Sequence, residues 1–475
     1  MRYNPPKKRR FMSSLILKRL VLLLLGVLIW FTPIPIGLTP QAWHLFVIFI
    51  TTIGFVIVDA LPIFVASIMA LSIAVFTQTL TPKEAFSGFS ESFILLIVVA
   101  FLLAKGVINS GLGKRVAFMI IKRFGSSTLG LAYSTMLADI LIAPAFPSNT
   151  ARSGVLFPIL NALCIDSNSK VEDGTHRKIG SFLMFSSMAG LTLSSSLWLT
   201  AMAANPTGVA IAKKMGVHID YGMWVLGAIF PVLMLFILIP LVLYIIFPPQ
   251  IKETPNAPII AKSELEKMGK FSKNEWIMSI IFISILFLWI MSEAWGLDKT
   301  VVALFGLAML MMSNIFSLDH LKSEGGALEI LVWFAILYTL SVYLGKFGFM
   351  AWLGELIASG IGGQSWQMVY LILIVSYVLV HYFFVSQTAH MLALFPVFLE
   401  VGMRFGVDGV LMALMLLYAT NFNAILTPQG SSANVIYVGS GYISPNEVYK
   451  FGGIITILNT FIFLTIGTVW ILWVM

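Results

Sequence analysis

Charged residues and cysteine are both scarce in this chain. Of its 475 residues only 11% are Asp, Glu, Lys or Arg, whereas 59% are apolar. A typical soluble domain is about 25% charged, and a water-soluble chain of this composition could not cover its surface with polar groups. The single cysteine, Cys164, excludes an intramolecular disulfide and a cysteine-based metal cluster. These scarcities exclude a soluble enzyme and predict an all-α integral membrane protein that resides in the lipid bilayer.

Long apolar runs, in contrast, are abundant. A helix needs about 20 apolar residues to cross the hydrocarbon core, and eleven segments reach that length. The predicted spans are 13–32, 39–58, 61–80, 91–109, 178–200, 222–247, 274–291, 299–316, 327–344, 407–427 and 447–474. The N-terminal stretch RYNPPKKRR is basic and lacks a small-residue cleavage site, so we interpret it as a cytoplasmic anchor rather than a cleaved signal.

The basic residues are divided unequally between the two sides of the membrane. With the N-terminus in the cytoplasm, the loops place 21 of the 29 lysines and arginines on the inner side and 6 on the outer side. Positive charge accumulates on the cytoplasmic side of membrane proteins. We therefore predict a multi-pass protein of the cell membrane with its C-terminus outside. The same topology explains the net charge of +8, so we expect no nucleic-acid partner.

Two long segments, 126–164 and 364–404, do not fit a single crossing, because polar residues interrupt each of them in the middle. We predict that each is a re-entrant helical hairpin. FPSNTARSGVLFPI at 146–159 aligns without gaps on FVSQTAHMLALFPV at 384–397, and seven of the fourteen positions are identical. In the predicted topology the first hairpin enters from inside and the second from outside. The two halves of the chain are therefore inverted repeats.

The repeats divide the chain into four parts. They are a basic N-terminal segment with the first span at 1–38, a first inverted repeat at 39–247, a cytoplasmic linker at 248–272 and a second inverted repeat at 273–475. Paired interruptions at equivalent places in two inverted halves are typical of a transporter binding site.

Each repeat also has a later interruption, at Asn205 and Pro206 in the first and at LTPQGSSAN (426–434) in the second. Helix N-termini offer free amide groups and a positive dipole end, which bind carboxylate or phosphate. Two such ends near the membrane midplane suit a molecule with an anionic group at each end. The predicted substrate-binding residues are Ser148, Asn149, Thr150, Ser386, Gln387, Thr388, Thr427, Pro428 and Gly430.

Arg152 and His390 occupy equivalent places, four positions after the serine of each hairpin motif. An arginine inside a membrane costs roughly 2.5–3.5 kcal/mol on insertion scales, so it usually has a function. We predict that both side chains compensate the charge of a bound anion. The alternatives are a salt bridge from Arg152 to Asp139 or Glu400, snorkelling of Arg152 to a water-filled vestibule, and a hydrogen-bonded core role for the histidine.

The sequence resembles the divalent-anion:sodium symporter (DASS) family over nearly its whole length. The resemblance is carried by SNT at 148–150, SQT at 386–388 and LTPQGSSANVIYVGSGY at 426–442, and it is closest to the branch of citrate–succinate antiporters and plastid 2-oxoglutarate/malate translocators. It implies a homodimer with a scaffold domain and a transport domain that moves as an elevator. It also implies dicarboxylate or tricarboxylate substrates held by the two tripeptides. Gln387 departs from the asparagine that is usual in sodium-coupled members.

We therefore expect exchange of di- or tricarboxylates such as 2-oxoglutarate, malate or succinate, without sodium. In this hypothesis Arg152 and His390 replace the sodium ions of the symporters, and no cofactor is needed. A sodium-coupled dicarboxylate symporter is the alternative within the family. Two alternatives come from other classes, an anion channel and an intramembrane enzyme. The chain has no His-Glu-x-x-His, Gly-x-Ser-x-Gly or Walker motif, which disfavours the enzyme.

Overall fold

The computed structural model describes residues 7–361 and 363–475. In this part of the chain there is no β-strand, and one isolated bridge joins Ser127 to Glu253. In the first half the helices are Lys7–Trp30, Pro40–Ile57, Ile63–Phe76, Pro82–Ala85, Ser92–Ser110, Leu112–Phe124, Thr128–Ile142, Asn149–Asp166, Gly180–Leu197, Ala204–Lys214 and Tyr221–Ile246. In the second half they are Asn256–Met268, Lys273–Ile290, Ser292–Trp295, Lys299–Met312, Leu318–Ser323, Gly325–Lys346, Phe349–Ile361, Trp366–Val380, Gln387–Arg404, Gly409–Phe422, Ser432–Gly439 and Pro445–Val474.

Nine helices of the described chain are long and apolar enough to cross a membrane, which confirms the all-helical membrane fold. Two of the nine, Thr128–Ala145 and Trp366–Phe383, are the first arms of the predicted hairpins. The other seven coincide with predicted spans. Predicted spans 61–80 and 299–316 correspond to helices of only 14 residues. Predicted span 178–200 corresponds to a serine-rich helix whose residues are all buried, because it packs inside the protein instead of facing lipid.

Each predicted hairpin consists of two helices joined by a short turn. In the first hairpin the helices are Thr128–Ile142 and Asn149–Asp166, and in the second they are Trp366–Val380 and Gln387–Arg404. A single 3-10 turn follows the first arm in both hairpins, and extended residues lead into the second arm. An additional helix, Leu112–Phe124 or Phe349–Ile361, precedes each hairpin. The internal repeat of the sequence is therefore also a repeat of secondary structure.

Each repeat also contains a broken helix. The first broken helix comprises Gly180–Leu197 and Ala204–Lys214, and the second comprises Gly409–Phe422 and Ser432–Gly439. Carbonyl groups freed by such breaks need donors when they lie at membrane depth. Asn205 donates to the Ser195 carbonyl at 2.9 Å in the first broken helix. Asn434 donates to the carbonyls of residues 424 and 427 in the second, at 2.8 and 3.0 Å.

Asn205 and Pro206 lie just after the first break, not within it. The interruption covers 198–203, and both residues belong to the first turn of Ala204–Lys214. A proline is tolerated in the first turn of a helix because the N–H that it lacks would have no intrahelical partner there. The break itself results from the extended conformations of Trp198 and Met202.

The helices form two groups. The central group contains both hairpins, both broken helices, Tyr221–Ile246 and Pro445–Val474, and the first arm of the first broken helix packs against both arms of the first hairpin. The flanking group contains the helices before residue 111 and those between 273 and 346. Within it, Ser92–Ser110 packs on Lys299–Met312, and Ile63–Phe76 packs on Gly325–Lys346. The candidate site lies where the two groups meet.

The predicted linker 248–272 is docked on the first repeat. Its helix Asn256–Met268 packs against Leu112–Phe124, and the backbone carbonyl of Lys252 accepts a hydrogen bond from the amide of Thr128 at 2.9 Å. Arg115 forms a buried ion pair with Glu275, with 2.5 Å between Nε and Oε1. These contacts attach the connection between the repeats to the base of the first hairpin.

Candidate functional site

The two hairpin tips have the same local structure. Ser148 has φ −148° and ψ 120°, and Ser386 has φ −147° and ψ 123°. Each serine hydroxyl accepts a hydrogen bond from the backbone amide three residues later, at 3.2 Å in the first tip and 3.3 Å in the second. These are N-caps, as expected for serine before a helix. Each tip therefore presents the amino end of an 18-residue helix.

Both tips line one cavity of about 360 Å³ between the central and the flanking groups. Its wall consists of Val56, Asp59, Leu61, Pro62, Ile63, Phe101, Pro147, Ser148, Asn149, Thr150, Met202, Ala203, Ile330, Trp333, Phe334, Val385, Ser386, Gln387, Thr388, Ser431 and Ser432. The central group contributes mainly hydroxyl and amide side chains, whereas the flanking group contributes mainly apolar ones. All six residues of the two predicted tripeptides are on this wall.

Direct contacts join the tips across the two repeats. The side-chain amide of Asn149 donates to Gln387 Oε1 at 3.3 Å. Gln387 in turn donates from Nε2 to the carbonyl of Thr420 in the second broken helix at 2.8 Å. The hydroxyls of Thr150 and Ser432 are 2.6 Å apart. The two tripeptides and the second broken helix therefore form one hydrogen-bonded unit.

The other predicted binding residues in the second break lie behind the wall. Thr427, Pro428 and Gly430 do not line the cavity, because the chain turns there before the second arm begins. Ser431 and Ser432 line it instead, and the Ser431 hydroxyl caps that arm by accepting from the amide of residue 433 at 3.4 Å. A serine pair that precedes a helix is an N-cap signal in the sequence. The sequence therefore contained a signal that could have identified Ser431 and Ser432 as candidate binding residues.

Arg152 is fully buried and points away from the cavity. Its Nε is 3.0 Å from Oδ1 of Asp139, so the ion pair that the sequence left open as an alternative is present. The other guanidinium nitrogens contact only oxygen atoms. These belong to the carbonyls of Phe146, Leu191 and Ala201 and to the side chains of Asn149, Ser194 and Ser195. Arg152 thus holds Asn149 from behind the tip, at 2.8 Å from Nη2 to Oδ1.

His390 is also fully buried and absent from the cavity wall. Neither of its ring nitrogens has a hydrogen-bond partner among the described residues. Its ring packs against Tyr377, with 4.2 Å between the ring centroids, and against His381, with 5.0 Å. His381 contacts the Gly430 carbonyl through Nε2 at 3.0 Å. We did not select His381 from the sequence, because the first repeat has no histidine at the equivalent place.

The ion pair of the first repeat is replaced in the second by a tyrosine and a histidine. Asp139 and Arg152 correspond to Tyr377 and His390 at the same offset of 238 residues. The Tyr377 hydroxyl is 2.8 Å from the Thr420 hydroxyl, much as Asp139 accepts a hydrogen bond from Ser194. In both repeats this position of the first hairpin arm therefore contacts a hydroxyl of the neighbouring broken helix, but the ion pair itself is present in the first repeat.

A hydrogen bond between two asparagines connects the two broken helices. The side-chain amide of Asn421 donates to Oδ1 of Asn205 at 2.9 Å, and both side chains are fully buried. Asn421 lies at the end of the first arm of the second broken helix, and Asn205 lies at the start of the second arm of the first. The contact fixes the two breaks relative to each other directly behind the tips.

Comparison with known proteins connects this chain to membrane transport. Residues 13–475 match the family described as the sodium:sulfate symporter transmembrane region. YflS of Bacillus subtilis (strain 168) is 41% identical to this chain over 453 residues, which is 95% of each protein. Dicarboxylate transporter 1, chloroplastic, of Spinacia oleracea is 39% identical, covering 94% of this chain and 79% of the relative. The L-tartrate/succinate antiporter of Shigella sonnei (strain Ss046) is 31% identical, covering 92% of this chain and 94% of the relative.

A solved structure has the same fold. The YdaH transporter of Alcanivorax borkumensis aligns with a TM-score of 0.60 over 85% of this chain and 90% of that one, at 14% sequence identity. The likeness at this identity concerns the fold alone, and it agrees with the arrangement of helices described above.

Proposed function

This chain belongs to the sodium:sulfate symporter family, and from that membership we propose that it exchanges dicarboxylates across the cell membrane. Like the other members of its family and its relatives, it is a transporter and not an enzyme. The proposal is carried by one observation: two helix N-termini from inverted repeats line a single cavity of about 360 Å³. The names of the spinach and Shigella relatives support a dicarboxylate substrate and an antiport mode.

The chemistry of the tips suits a molecule with a carboxylate at each end. The first amides of each second arm have no intrahelical acceptor, and the dipole end there is positive. Ser148, Thr150, Ser386 and Thr388 add hydroxyl donors, and Gln387 adds an amide. One carboxylate binds at each tip, and the apolar wall around Trp333 contacts the carbon chain between them. Malate, succinate and 2-oxoglutarate meet this description.

The surroundings of Arg152 support exchange without sodium. Unwound carbonyl groups and side-chain oxygens at such breaks are the ligands that coordinate sodium in transporters. In this chain the Arg152 guanidinium occupies a site of that kind, with six oxygen partners besides Asp139. A covalently attached cation leaves no room for a dissociable one. His390 is its equivalent in the second repeat, where protonation would supply the second positive charge.

Obligatory exchange requires a barrier to the return of the empty carrier, and a free cation at residue 152 would be one such barrier. Because Asp139 balances Arg152, no free cation at residue 152 opposes the return of an empty carrier. The unpaired helix ends provide the barrier instead. Without a substrate, the amides of both tips would enter a dry interface with no acceptor, and each unsatisfied buried polar group costs about 1–3 kcal/mol. A bound dicarboxylate removes that cost in both directions.

In the mechanism that we propose, the central group moves against the flanking group as an elevator, within a homodimer. In the orientation predicted from the basic residues, the loop 58–62 and the start of Gly325–Lys346 lie near the cytoplasmic side. Both border the cavity. The structure then corresponds to a state that opens to the cytoplasm.

A sodium-coupled symporter is the second candidate, and one observation favours it. The Thr427 hydroxyl and Oδ1 of Asn423 are buried without a hydrogen-bond partner among the described residues. These two oxygens lie at the second break, where a cation would restore their lost interactions. Under this alternative, one sodium ion would bind in the second repeat while Arg152 fills the equivalent place in the first.

Counterflow in proteoliposomes tests the proposal. The purified protein is reconstituted with or without internal succinate, and uptake of labelled succinate is measured in sodium or choline buffer. We expect saturable uptake that requires internal dicarboxylate and is equal in the two buffers. Sodium-driven uptake into empty vesicles would establish the symporter instead, and uptake that does not saturate would indicate a channel. Absence of uptake for succinate, malate and 2-oxoglutarate would refute the proposed substrate class.

A further inference from the structure

One charged side chain lies on the cavity wall, and it is an acid. Of the wall residues that the structure describes, Asp59 alone carries a charge, and the remainder are apolar or neutral polar residues. No cation lines the cavity, since Arg152 and His390 are behind it. A carboxylate that faces a site for dianions opposes binding by Coulomb repulsion. Asp59 therefore does not increase the affinity for a dianion, and another function must explain its position on the wall.

The backbone at Asp59 is fixed in place by several contacts. The residue has φ +53°, a left-handed conformation that Asp and Asn tolerate better than most residues. The amide of Ala60 donates to the Phe55 carbonyl at 2.9 Å. From the N-terminal helix, Lys18 contacts the carbonyl of residue 58 at 3.0 Å and Arg19 contacts that of Ala60 at 2.8 Å. Two basic side chains thus bind the backbone carbonyls of the residues that precede and follow Asp59.

The Asp59 carboxylate has no direct ion-pair partner among the described residues. Lys18 and Arg19 each direct one donor to a backbone carbonyl, and no ion pair within 4.0 Å includes Asp59 in the described chain. The residue is exposed and lines the cavity. Asp59 belongs to the flanking group, whereas the tips that bind the substrate belong to the central group. The acid therefore faces whatever part of a ligand extends away from the tips.

We propose that Asp59 limits the charge of the substrate: it disfavours a third carboxylate, so that the site selects dicarboxylates over tricarboxylates. The inference rests on the proposed function and specifies its substrate class. The two tips pair with two carboxylates, and a third one has no helix end to bind. It would extend towards Asp59, where repulsion is added to the lack of a partner. A neutral or hydroxyl-bearing carbon at that place carries no such penalty.

The expected size of the effect follows from Coulomb's law. Two unit charges about 7 Å apart, at the effective dielectric constants of a solvated cleft, repel enough to change an affinity by roughly three- to tenfold. Because Asp59 is exposed, added salt screens this repulsion within a Debye length of about 10 Å at 0.1 M. The selectivity should therefore decrease as the salt concentration rises.

Competition with labelled succinate exchange tests the inference. Half-inhibitory concentrations of citrate and succinate are measured at a pH where citrate is a trianion. In Asp59→Asn, the ratio of the citrate value to the succinate value should be roughly three- to tenfold lower than in the unmodified protein. Asn keeps the shape and tolerates the left-handed backbone. Asp59→Glu should keep the original ratio, and so should Asp319→Asn, which removes an exposed acid outside the cavity.

The outcomes separate this inference from the proposed function. If Asp59→Asn exchanges succinate with an unchanged ratio, or loses exchange while it remains monodisperse, the inference is wrong and dicarboxylate exchange still stands. If the unmodified protein exchanges no dicarboxylate, the proposed function fails. If the variant does not fold, the salt series on the unmodified protein decides. A citrate-to-succinate ratio that decreases with salt supports the charge filter, and a constant ratio contradicts it.

Discussion

Arg152 shows how much a single buried residue depends on its surroundings. Its position in a membrane segment indicated a functional cation, yet its side chain is turned into the protein, where Asp139 and six oxygen groups surround it. The sequence offered both readings, because residue spacing within a helix does not determine the direction in which a long side chain extends. What the structure adds is the link from Arg152 to Asn149, a residue of the tip itself.

Arg152→Ala should therefore impair both stability and exchange. It leaves the Asp139 carboxylate buried without a counter-ion, and such a loss costs about 3–5 kcal/mol. We expect a clearly lower midpoint of thermal unfolding in detergent and no measurable succinate exchange. The double variant Arg152→Gln with Asp139→Asn removes both charges and should regain most of the thermal stability. If the single variant unfolded at the same temperature as the unmodified protein, the ion pair would have no structural role.

Gln387 connects the two tips, and its length matters. It receives a hydrogen bond from Asn149 at 3.3 Å and donates to the Thr420 carbonyl at 2.8 Å. Gln387→Asn is one methylene shorter and cannot maintain both contacts, so we expect a several-fold higher KM for succinate with the fold unchanged. Gln429→Asn is the matched control, because Gln429 lies off the cavity and its side chain accepts a hydrogen bond from Tyr449 at an exposed place. Equal KM values for the two variants would contradict the connecting role.

At the scale of elements, the breaks in the helices need close backbone approach. A Cβ at Gly430 would lie 2.6 Å from the Ala424 carbonyl oxygen and 3.1 Å from His381 Nε2. Gly430→Ala should therefore displace the second break and reduce exchange at least tenfold. Gly439→Ala, at the end of the following arm, meets no atom within 4 Å and should exchange normally. The two variants are compared by counterflow at equal reconstitution, and similar rates would show that the break tolerates a side chain.

The elements that the sequence predicted well are those with short-range signals. The aligned motifs located both hairpin turns, and Ser148 and Ser386 are the helix caps that their residue type indicates. The elements that it predicted poorly depend on long-range packing. Gly180–Leu197 is buried on every side. Its serines therefore contact other helices, and none of its residues faces lipid. Asp59 was not selected as a site residue because only the folded chain brings it to the cavity wall.

At the scale of the whole molecule, an ion pair joins the two groups of helices. Lys214, at the end of the first broken helix, lies 3.1 Å from Glu91, which precedes Ser92–Ser110. This pair borders a second cavity of about 510 Å³ that is separate from the tips. If the central group moves as proposed, the pair must separate when the tips reach the other side. Lys214 and Glu91 would then favour the state described here.

Exchange kinetics test this role. Lys214→Met keeps an apolar side chain of similar length but removes the charge, and exposed ion pairs contribute about 0.2–1 kcal/mol. We expect the maximal exchange rate to change by up to about fivefold, with little change in KM. The charge-swapped pair Lys214→Glu with Glu91→Lys should return the rate towards its original value. A change in KM with a constant maximal rate would place the effect in substrate binding and not in movement.

The hydrogen bond between Asn421 and Asn205 has a consequence for the history of the chain. Two copies of an ancestral unit usually diverge independently once they are fused, and each accumulates its own substitutions. Here the side-chain amide of Asn421 joins the copies through Asn205, in addition to the contacts between the hairpin tips, so a replacement in one copy is exposed to selection through the other. Ancestral reconstruction should accordingly find that substitutions at these two positions arose together.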